Sequence, residues 1–147
     1  MKFAYKLEHK RTVEIDDKTG EIISSTILLG FFSSEERCKE IIPQYLEQPG
    51  FKDYHNGFIV KRAEADVDDF NEIAGEFETS VFYLSHEYYD GEFDHISNLG
   101  YYSTKFLAEK AQIKYQVEPD LIGYQDGFCI TEYEIDESEW KEGFFTY

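Results

Sequence analysis

The chain has 147 residues, of which 41% are hydrophobic and 18% are aromatic. This length suits one packed domain and is too short for two ordinary independent ones, and so many aromatic residues disfavour an acidic disordered chain. The 14 basic and 31 acidic residues give a net charge of −17, which disfavours direct binding to nucleic acid or anionic membranes and favours a basic partner.

An internal repeat organises the chain. The segment LGFFSS at positions 29–34 returns as LGYYST at positions 99–104, and the same offset pairs Tyr45 with Tyr115. Such a repeat is one supersecondary unit used twice. We therefore expect an α+β fold of two tandem ββαβ repeats, 1–75 and 76–147, in a single domain 1–147. The helices should pack on antiparallel sheet with pseudo-twofold symmetry, and the sequence leaves open whether that sheet is continuous.

The first repeat follows the ββαβ order along the chain. We predict a strand at about 3–10, a hairpin turn at 16–20, a second strand, a helix, a loop at 49–57 and a third strand at 58–66. Ser33 or Ser34 should cap the helix, since a serine hydroxyl accepts from the amides of the first turn. Pro43 interrupts the helical pattern and predicts a short, kinked or shifted helix.

The second repeat has the same elements. We predict a strand at about 80–88, a turn at 90–92, a helix that is capped by Ser103 or Thr104 and runs to about Gln116, a loop at 119–127 and a strand at 128–136. In that last strand Phe128 and Ile130 should share one side, because side chains alternate along a strand.

Positions matched between the repeats indicate structural roles for the cysteines and two histidines. Cys38 aligns with Ala108 and Cys129 with Ile59, so both thiols are expected in the core. His9 and His86 occupy equivalent positions, which favours a role needed twice, such as a hydrogen bond to a loop.

No chemical signature emerges from the motifs. The run HEYYDGEFDH at 86–95 lacks the spacing of a calcium loop or a zinc-protease helix. The two cysteines have no metal or redox spacing, and phosphate loops and nucleophile elbows are absent. We expect no catalytic residue, metal or cofactor. A cytoplasmic location is also expected, since no leader or membrane span is recognisable.

The candidate partner-binding residues combine aromatic rings with carboxylates, a composition suited to capturing Lys and Arg on a protein. Residues 76–147 hold 4 basic and 16 acidic residues, against 10 and 15 in 1–75. Trp140 aligns with Phe70 and is expected in the core instead. The candidates lie in a hairpin tip and in the last strand and tail: Tyr88, Tyr89, Asp90, Glu92, Asp94, Glu132, Glu134, Glu137 and Glu139.

The segment from Val81 to Phe145 resembles a family of small uncharacterised bacterial domains. The motifs that carry the resemblance are His86, GYYS at 100–103, Pro119, Gly127-Phe128 and DESEWKEGF at 136–144. The first half matches more weakly and lacks the Trp and the Gly-Phe of the tail. The resemblance implies this fold and no activity. In size and charge the chain also resembles the acidic immunity proteins that neutralise bacterial nuclease toxins.

The leading hypothesis is a cytoplasmic bacterial immunity or inhibitor protein, monomeric or homodimeric, that occludes the active site of a basic toxin, with a nuclease as the expected class. A nucleic-acid mimic that blocks a DNA-binding enzyme is the alternative, and it would need carboxylate rows at the phosphate repeat. A small enzyme would need a deep pocket holding His9 or His86 near a perturbed carboxylate. A structural or regulatory domain is the fourth possibility.

Overall fold

The computed structural model describes residues 1–15, 18, 20, 22–48, 51 and 56–139, without the side chains of 11–15 and 22–25. In the part of the chain that the structure describes, the fold is α+β, with two three-stranded antiparallel sheets and two α-helices in tandem ββαβ order. The sheet is therefore split in two. The elements are β1 (Phe3–Ile15), β2 (Ile22–Phe32), α1 (Glu35–Tyr45), β3 (Phe58–Glu64), β4 (Ser80–Tyr89), β5 (Asp94–Tyr102), α2 (Lys105–Tyr115) and β6 (Phe128–Glu134).

The chain forms two compact units whose segments differ from the two sequence repeats. Unit 1 contains Met1–Ala4 and Ala63–Ile135, and unit 2 contains Tyr5–Arg62 with the tail that begins at Asp136. The sheet order is β5-β4-β6 in unit 1 and β2-β1-β3 in unit 2. Residues 3–4 of β1 and 63–64 of β3 are nevertheless assigned to unit 1. Each unit thus includes the residues that follow the last strand of the other repeat.

Each unit buries one face of its helix against its sheet. In unit 1 the core is formed by Leu84, Leu99, Tyr102, Ala108, Ala111, Tyr115 and Leu121. In unit 2 it is formed by Leu7, Leu29, Phe32, Cys38, Ile41, Tyr45 and Phe51. Phe128 and Ile130 both pack against the unit 1 core, as the strand alternation predicts.

The repeated Leu-Gly pair forms a β-bulge in both sheets. Leu84 pairs with Gly100 and Ser85 with Asn98, so Leu99 is the extra residue of β5. The equivalent shift in unit 2 follows the pairing of Leu7 with Gly30. Gly30 and Gly100 have φ values of 146° and 129°, a conformation that favours glycine.

The two hydroxyl-bearing residues before each helix have different roles. Ser34 Oγ accepts from the amide of Arg37 at 3.1 Å, and Thr104 Oγ1 accepts from the amide of Leu107 at 3.1 Å. Ser34 and Thr104 are therefore the N-caps. The preceding residues, Ser33 and Ser103, bind aspartates of the tails instead.

The first tail, residues 65–71, belongs to unit 1. The amide of Asp66 donates to the carbonyl of Tyr101 at 2.8 Å. Its carboxylate accepts from the amide of Ser103 at 2.8 Å and from its hydroxyl at 2.7 Å. Asp66 has a φ of 63°. One backbone hydrogen bond to Tyr101 and two hydrogen bonds from Ser103 to the carboxylate thus attach this tail just before α2.

The second tail, residues 136–139, belongs to unit 2 and has the same geometry. The amide of Asp136 donates to the carbonyl of Phe31 at 2.8 Å. Asp136 Oδ1 accepts from the amide and hydroxyl of Ser33 at 2.9 and 3.1 Å. Glu139 donates its amide to the Leu29 carbonyl at 2.7 Å. We name each Asp–Ser pair, Asp66–Ser103 and Asp136–Ser33, a clasp.

Two expectations about the elements differ from the structure, and two others fall outside the residues that the structure describes. β1 extends to Ile15, beyond the predicted end near residue 10. The helix α1 is not shortened: it has 11 residues, as α2 has, with Pro43 inside it. Pro43 is two residues from the helix end, where its missing amide removes only the bond to the carbonyl of Lys39. Trp140 and most of the first hairpin turn lie outside the described residues.

Candidate functional site

The turn between β4 and β5 is organised by the side chain of Asp90. Its Oδ1 accepts from the amide of Glu92 at 2.8 Å and from the amide of Phe93 at 2.7 Å. Its own amide donates to the carbonyl of Phe93 at 3.1 Å. An aspartate that satisfies two following amides stabilises a tight turn. Asp90 therefore acts first on the hairpin itself.

The second oxygen of Asp90 binds a histidine across the strand end. Oδ2 lies 2.7 Å from Nε2 of His95. The amide of Phe93, followed by His95 and the amide of Glu92, lowers the pKa of Asp90 from 3.8 to about 2. Hydrogen bonds to the ionised form produce this direction of shift. With both oxygens occupied, Asp90 has little capacity left for a partner.

Tyr88 is held between two rings on the helix-facing side of the hairpin. Its ring centroid lies 4.6 Å from that of His95 and 3.9 Å from that of Tyr124, with interplanar angles of 15° and 21°. Stacked rings at these distances stabilise one geometry. Tyr88, predicted as a contact residue, therefore supports the hairpin and is half-buried.

The opposite side of the hairpin exposes large apolar side chains among carboxylates. Tyr89, Phe93 and Ile96 are 61%, 62% and 71% exposed. Tyr89 pairs with Asp94 and Glu87 with Ile96, so these four side chains share one face of the sheet. We name this surface the hairpin patch and define it by Glu87, Tyr89, Glu92, Phe93, Asp94 and Ile96.

Phe93, Ile96 and Glu87 were not among the predicted contact residues. The signal that could have found Ile96 and Glu87 is the strand register, which a turn centred on Asp90-Gly91 would have fixed. Exposed apolar residues grouped in this way are unusual for a surface that only confers solubility.

Within unit 1, the structure does not bring the predicted residues of β6 to the hairpin. Glu134 pairs with Ser80 and Glu132 with Phe82, at the start of β4, whereas Tyr89 ends that strand. Nine residues at about 3.3 Å each separate the two ends by about 30 Å. Glu132 also accepts a hydrogen bond from Ser80 Oγ at 2.8 Å. Glu132 and Glu134 therefore form a separate acidic edge of unit 1.

Glu137 and Glu139 belong to unit 2, where the backbone of the second tail is used structurally. The hydroxyl of Tyr45 donates to the carbonyl of Glu139. A Cβ on Gly30 would lie 2.6 Å from the carbonyl oxygen of Glu137, so the tail passes close over that glycine. Both glutamates are exposed, but their segment serves to hold the tail on β2.

His86 has the loop-holding role predicted from the repeat. It is fully buried, and its Nε2 lies 2.7 Å from the carbonyl oxygen of Tyr124. Its ring also meets that of Phe128 edge-on at 4.5 Å. Donation to a carbonyl requires the proton on Nε2. His9 is likewise fully buried in unit 2 and meets the rings of Phe51 and Phe58 at 4.9 and 4.8 Å.

The two cysteines differ in environment. Cys38 is fully buried, as predicted, and burial, followed by the charges of Glu35 and Asp136, raises its pKa from 9.0 to about 11. Cys129 is exposed, so its predicted core position was wrong. β6 is an edge strand, and a position that tolerates isoleucine in one repeat need not be covered in the other.

A cavity of about 260 Å³ lies between the first tail and α2 within unit 1. Asp68 lines this cavity. Its carboxylate accepts from the amides of Phe70 and Asn71 at 2.8 and 2.9 Å, and from the hydroxyl of Tyr102 at 2.5 Å. Burial and Asp68 raise the pKa of Tyr102. The lining residues contain no histidine, and the three hydrogen bonds that Asp68 accepts fix the first tail against β5.

Comparisons with known proteins identify no relative. No family model, curated protein or solved structure matches the chain. Within the described ranges, no group of three or more His, Cys, Asp or Glu side chains is placed to hold a metal ion. None of the described helices has the length and apolar character needed to cross a bilayer.

Proposed function

We propose that this chain is a bacterial immunity or inhibitor protein that binds a basic protein toxin, a nuclease by class, and occludes its active site through the hairpin patch. It would act in the cytoplasm and without turnover. The observation that carries the proposal is a pre-formed surface in which three exposed apolar side chains alternate with three carboxylates. Aromatic anchors ringed by charges are typical of protein-binding hot spots.

The rigidity of the hairpin supports this function. Asp90 fixes the turn and pairs with His95, while Tyr88 stacks on both His95 and Tyr124. A surface that is ordered before binding loses less conformational entropy when the partner arrives. The net charge of −17 adds long-range attraction for a basic partner and would raise the association rate.

Mimicry of nucleic acid has less support. A mimic needs long rows of carboxylates with regular spacing. Among the described strand residues, β6 carries the longest in-phase row, and it contains only Glu132 and Glu134. Two carboxylates about 7 Å apart reproduce one phosphate step and no more.

The test is inhibition of a secreted nuclease toxin encoded beside this gene, measured by growth rescue on co-expression and by binding at several salt concentrations. Glu92→Lys/Asp94→Lys should weaken binding by about 10-fold or more, because like charges then face the basic partner, and should abolish rescue. Asp90 stays unchanged in this variant because its substitution would disrupt the turn. Glu76→Lys/Glu78→Lys is the matched control, since both glutamates are exposed in the same unit and the charge change is equal. Equal affinity of the two variants would contradict the hairpin assignment.

A further inference from the structure

The outer side of α2 carries an apolar stripe that its own unit does not cover. Phe106 and Ile113 are 70% and 65% exposed, and Val117, just past the helix end, is 70% exposed. Phe106 and Ile113 are seven residues apart, which places them within about 20° of one another around the helix. They lie opposite the buried side, which is formed by Ala108, Ala111 and Tyr115.

The stripe is absent from the other copy of the helix. At the equivalent positions α1 and its end carry Glu36, Pro43 and Glu47. Both helices bury the same three positions, since Cys38, Ile41 and Tyr45 correspond to the buried residues of α2. The fold therefore does not require apolar residues on the outside of α2, and a patch of this kind favours burial against another molecule.

The charge of α2 opposes that of its surroundings. Residues 76–147 contain four basic residues, and Lys105, Lys110 and Lys114 of α2 are three of them. Lys105 faces Glu109 at 3.9 Å, and Lys114 lies 5.8 Å from the centre of the Phe70 ring. Lys110 and Lys114 flank the stripe on one side, whereas Lys105 lies about 100° around the helix from Phe106. The flank with Lys110 and Lys114 is thus basic, complementary to the acidic apolar hairpin patch.

We propose that the chain associates with itself, with the hairpin patch of one copy on the α2 stripe of a second copy. Tyr89, Phe93 and Ile96 would cover the apolar stripe, with Glu92 and Asp94 beside lysines of α2. The inference rests on the proposed function in taking the hairpin patch as a binding surface. Self-association would occupy that patch and compete with the toxin.

The contact is head-to-tail. Leu84 packs in the core with α2, whereas Tyr89 is five residues along the same strand. An odd separation places the two side chains on opposite faces of the sheet, so the patch and the stripe point away from one another. A heterologous contact of this kind is not limited to dimers. Because only a few side chains of each copy form this contact, we expect a Kd between about 10 μM and 1 mM.

Sedimentation velocity of the full chain tests the proposal, at concentrations from about 10 μM to 1 mM and about 0.15 M salt, where the net charge is largely screened. The wild type should show concentration-dependent association. Glu92→Lys/Asp94→Lys and Lys110→Glu/Lys114→Glu should each remain monomeric, because like charges then oppose one another. An equimolar mixture of the two variants should associate again, since each hairpin then finds a helix of opposite charge.

Circular dichroism should show that each variant is folded, and Glu76→Lys/Glu78→Lys should associate as the wild type does. A monomeric wild type at all concentrations, or a mixture that stays monomeric, would overturn the inference. These experiments contain no toxin. A monomeric wild type whose hairpin still binds the toxin defeats only the self-association, whereas unchanged toxin binding by the hairpin variant defeats the proposed function.

Discussion

Gly127 lies so close to His86 that a Cβ added to it would stand 2.8 Å from Nε2 of the imidazole. The same Cβ would meet the carbonyl oxygen of Glu87 at 2.2 Å. The pair recurs in unit 2, where a Cβ on Gly57 would lie 2.8 Å from Nε2 of His9. In both units the glycine just before the third strand permits its backbone to lie against a buried histidine.

Gly127→Ala should therefore destabilise the protein by about 2–4 kcal/mol, because the loop must move away from backbone that cannot yield. Gly123→Ala is the control, since a Cβ there meets no atom within 4 Å. That substitution should change the free energy of unfolding by less than about 1 kcal/mol. Urea unfolding measures both, and similar values for the two variants would contradict the close packing of the loop.

The clasps should contribute to stability in proportion to their burial. Asp66 is 8% exposed, whereas Asp136 is exposed. Asp66→Ala should cost about 1–3 kcal/mol through the unpaired amide and hydroxyl of Ser103, and Asp136→Ala less. Asp66→Gly should cost less than Asp66→Ala, because glycine tolerates the φ of 63°. Urea denaturation tests this order, and Glu76→Ala, an exposed site, is the reference that should have no effect.

The hairpin should weaken only in strong acid. The pKa of Asp90 is lowered from 3.8 to about 2, so the folded hairpin binds the proton less tightly than the unfolded chain does. Its stabilising contribution is present above about pH 4 and is lost as the pH falls through 2. Carboxyl ¹³C NMR should give Asp90 a midpoint near 2, and His95→Ala should raise it. A wild-type midpoint near 3.8 would contradict the hydrogen bonds of the turn.

Much of the fold could be predicted because both copies have kept the residues that folding requires. The matching LG segments revealed the repeat, and the following Ser-Ser and Ser-Thr pairs located the helix starts. Pro43 misled the prediction for α1 because sequence alone does not say how near the helix end it lies. Cys129 misled it because alignment identifies a tolerated residue type and not the cover that a neighbouring element provides.

The sequence could not predict that each tail binds the helix start of the other repeat, because the two repeats carry the same residues at these positions. Asp66 aligns with Asp136 and Ser33 with Ser103, so pairing within a repeat and pairing across repeats leave the same pattern in the sequence. Only coordinates distinguish the two. The binding role of the hairpin, which its composition indicated, stays a prediction. The different roles of Asp90, which holds the turn, and Asp94, which is exposed, depend on hydrogen bonds that composition does not specify.

The clasps also bear on how the two copies could have diverged after duplication. Each clasp joins the tail of one copy to the residue before the helix cap of the other. A substitution at Asp66, Ser103, Asp136 or Ser33 therefore affects both copies. The β4–β5 hairpin and the outer side of α2 take no part in the clasps, so they do not have this constraint. Selection could therefore reshape those surfaces in the second copy while its twin preserved the ancestral scaffold.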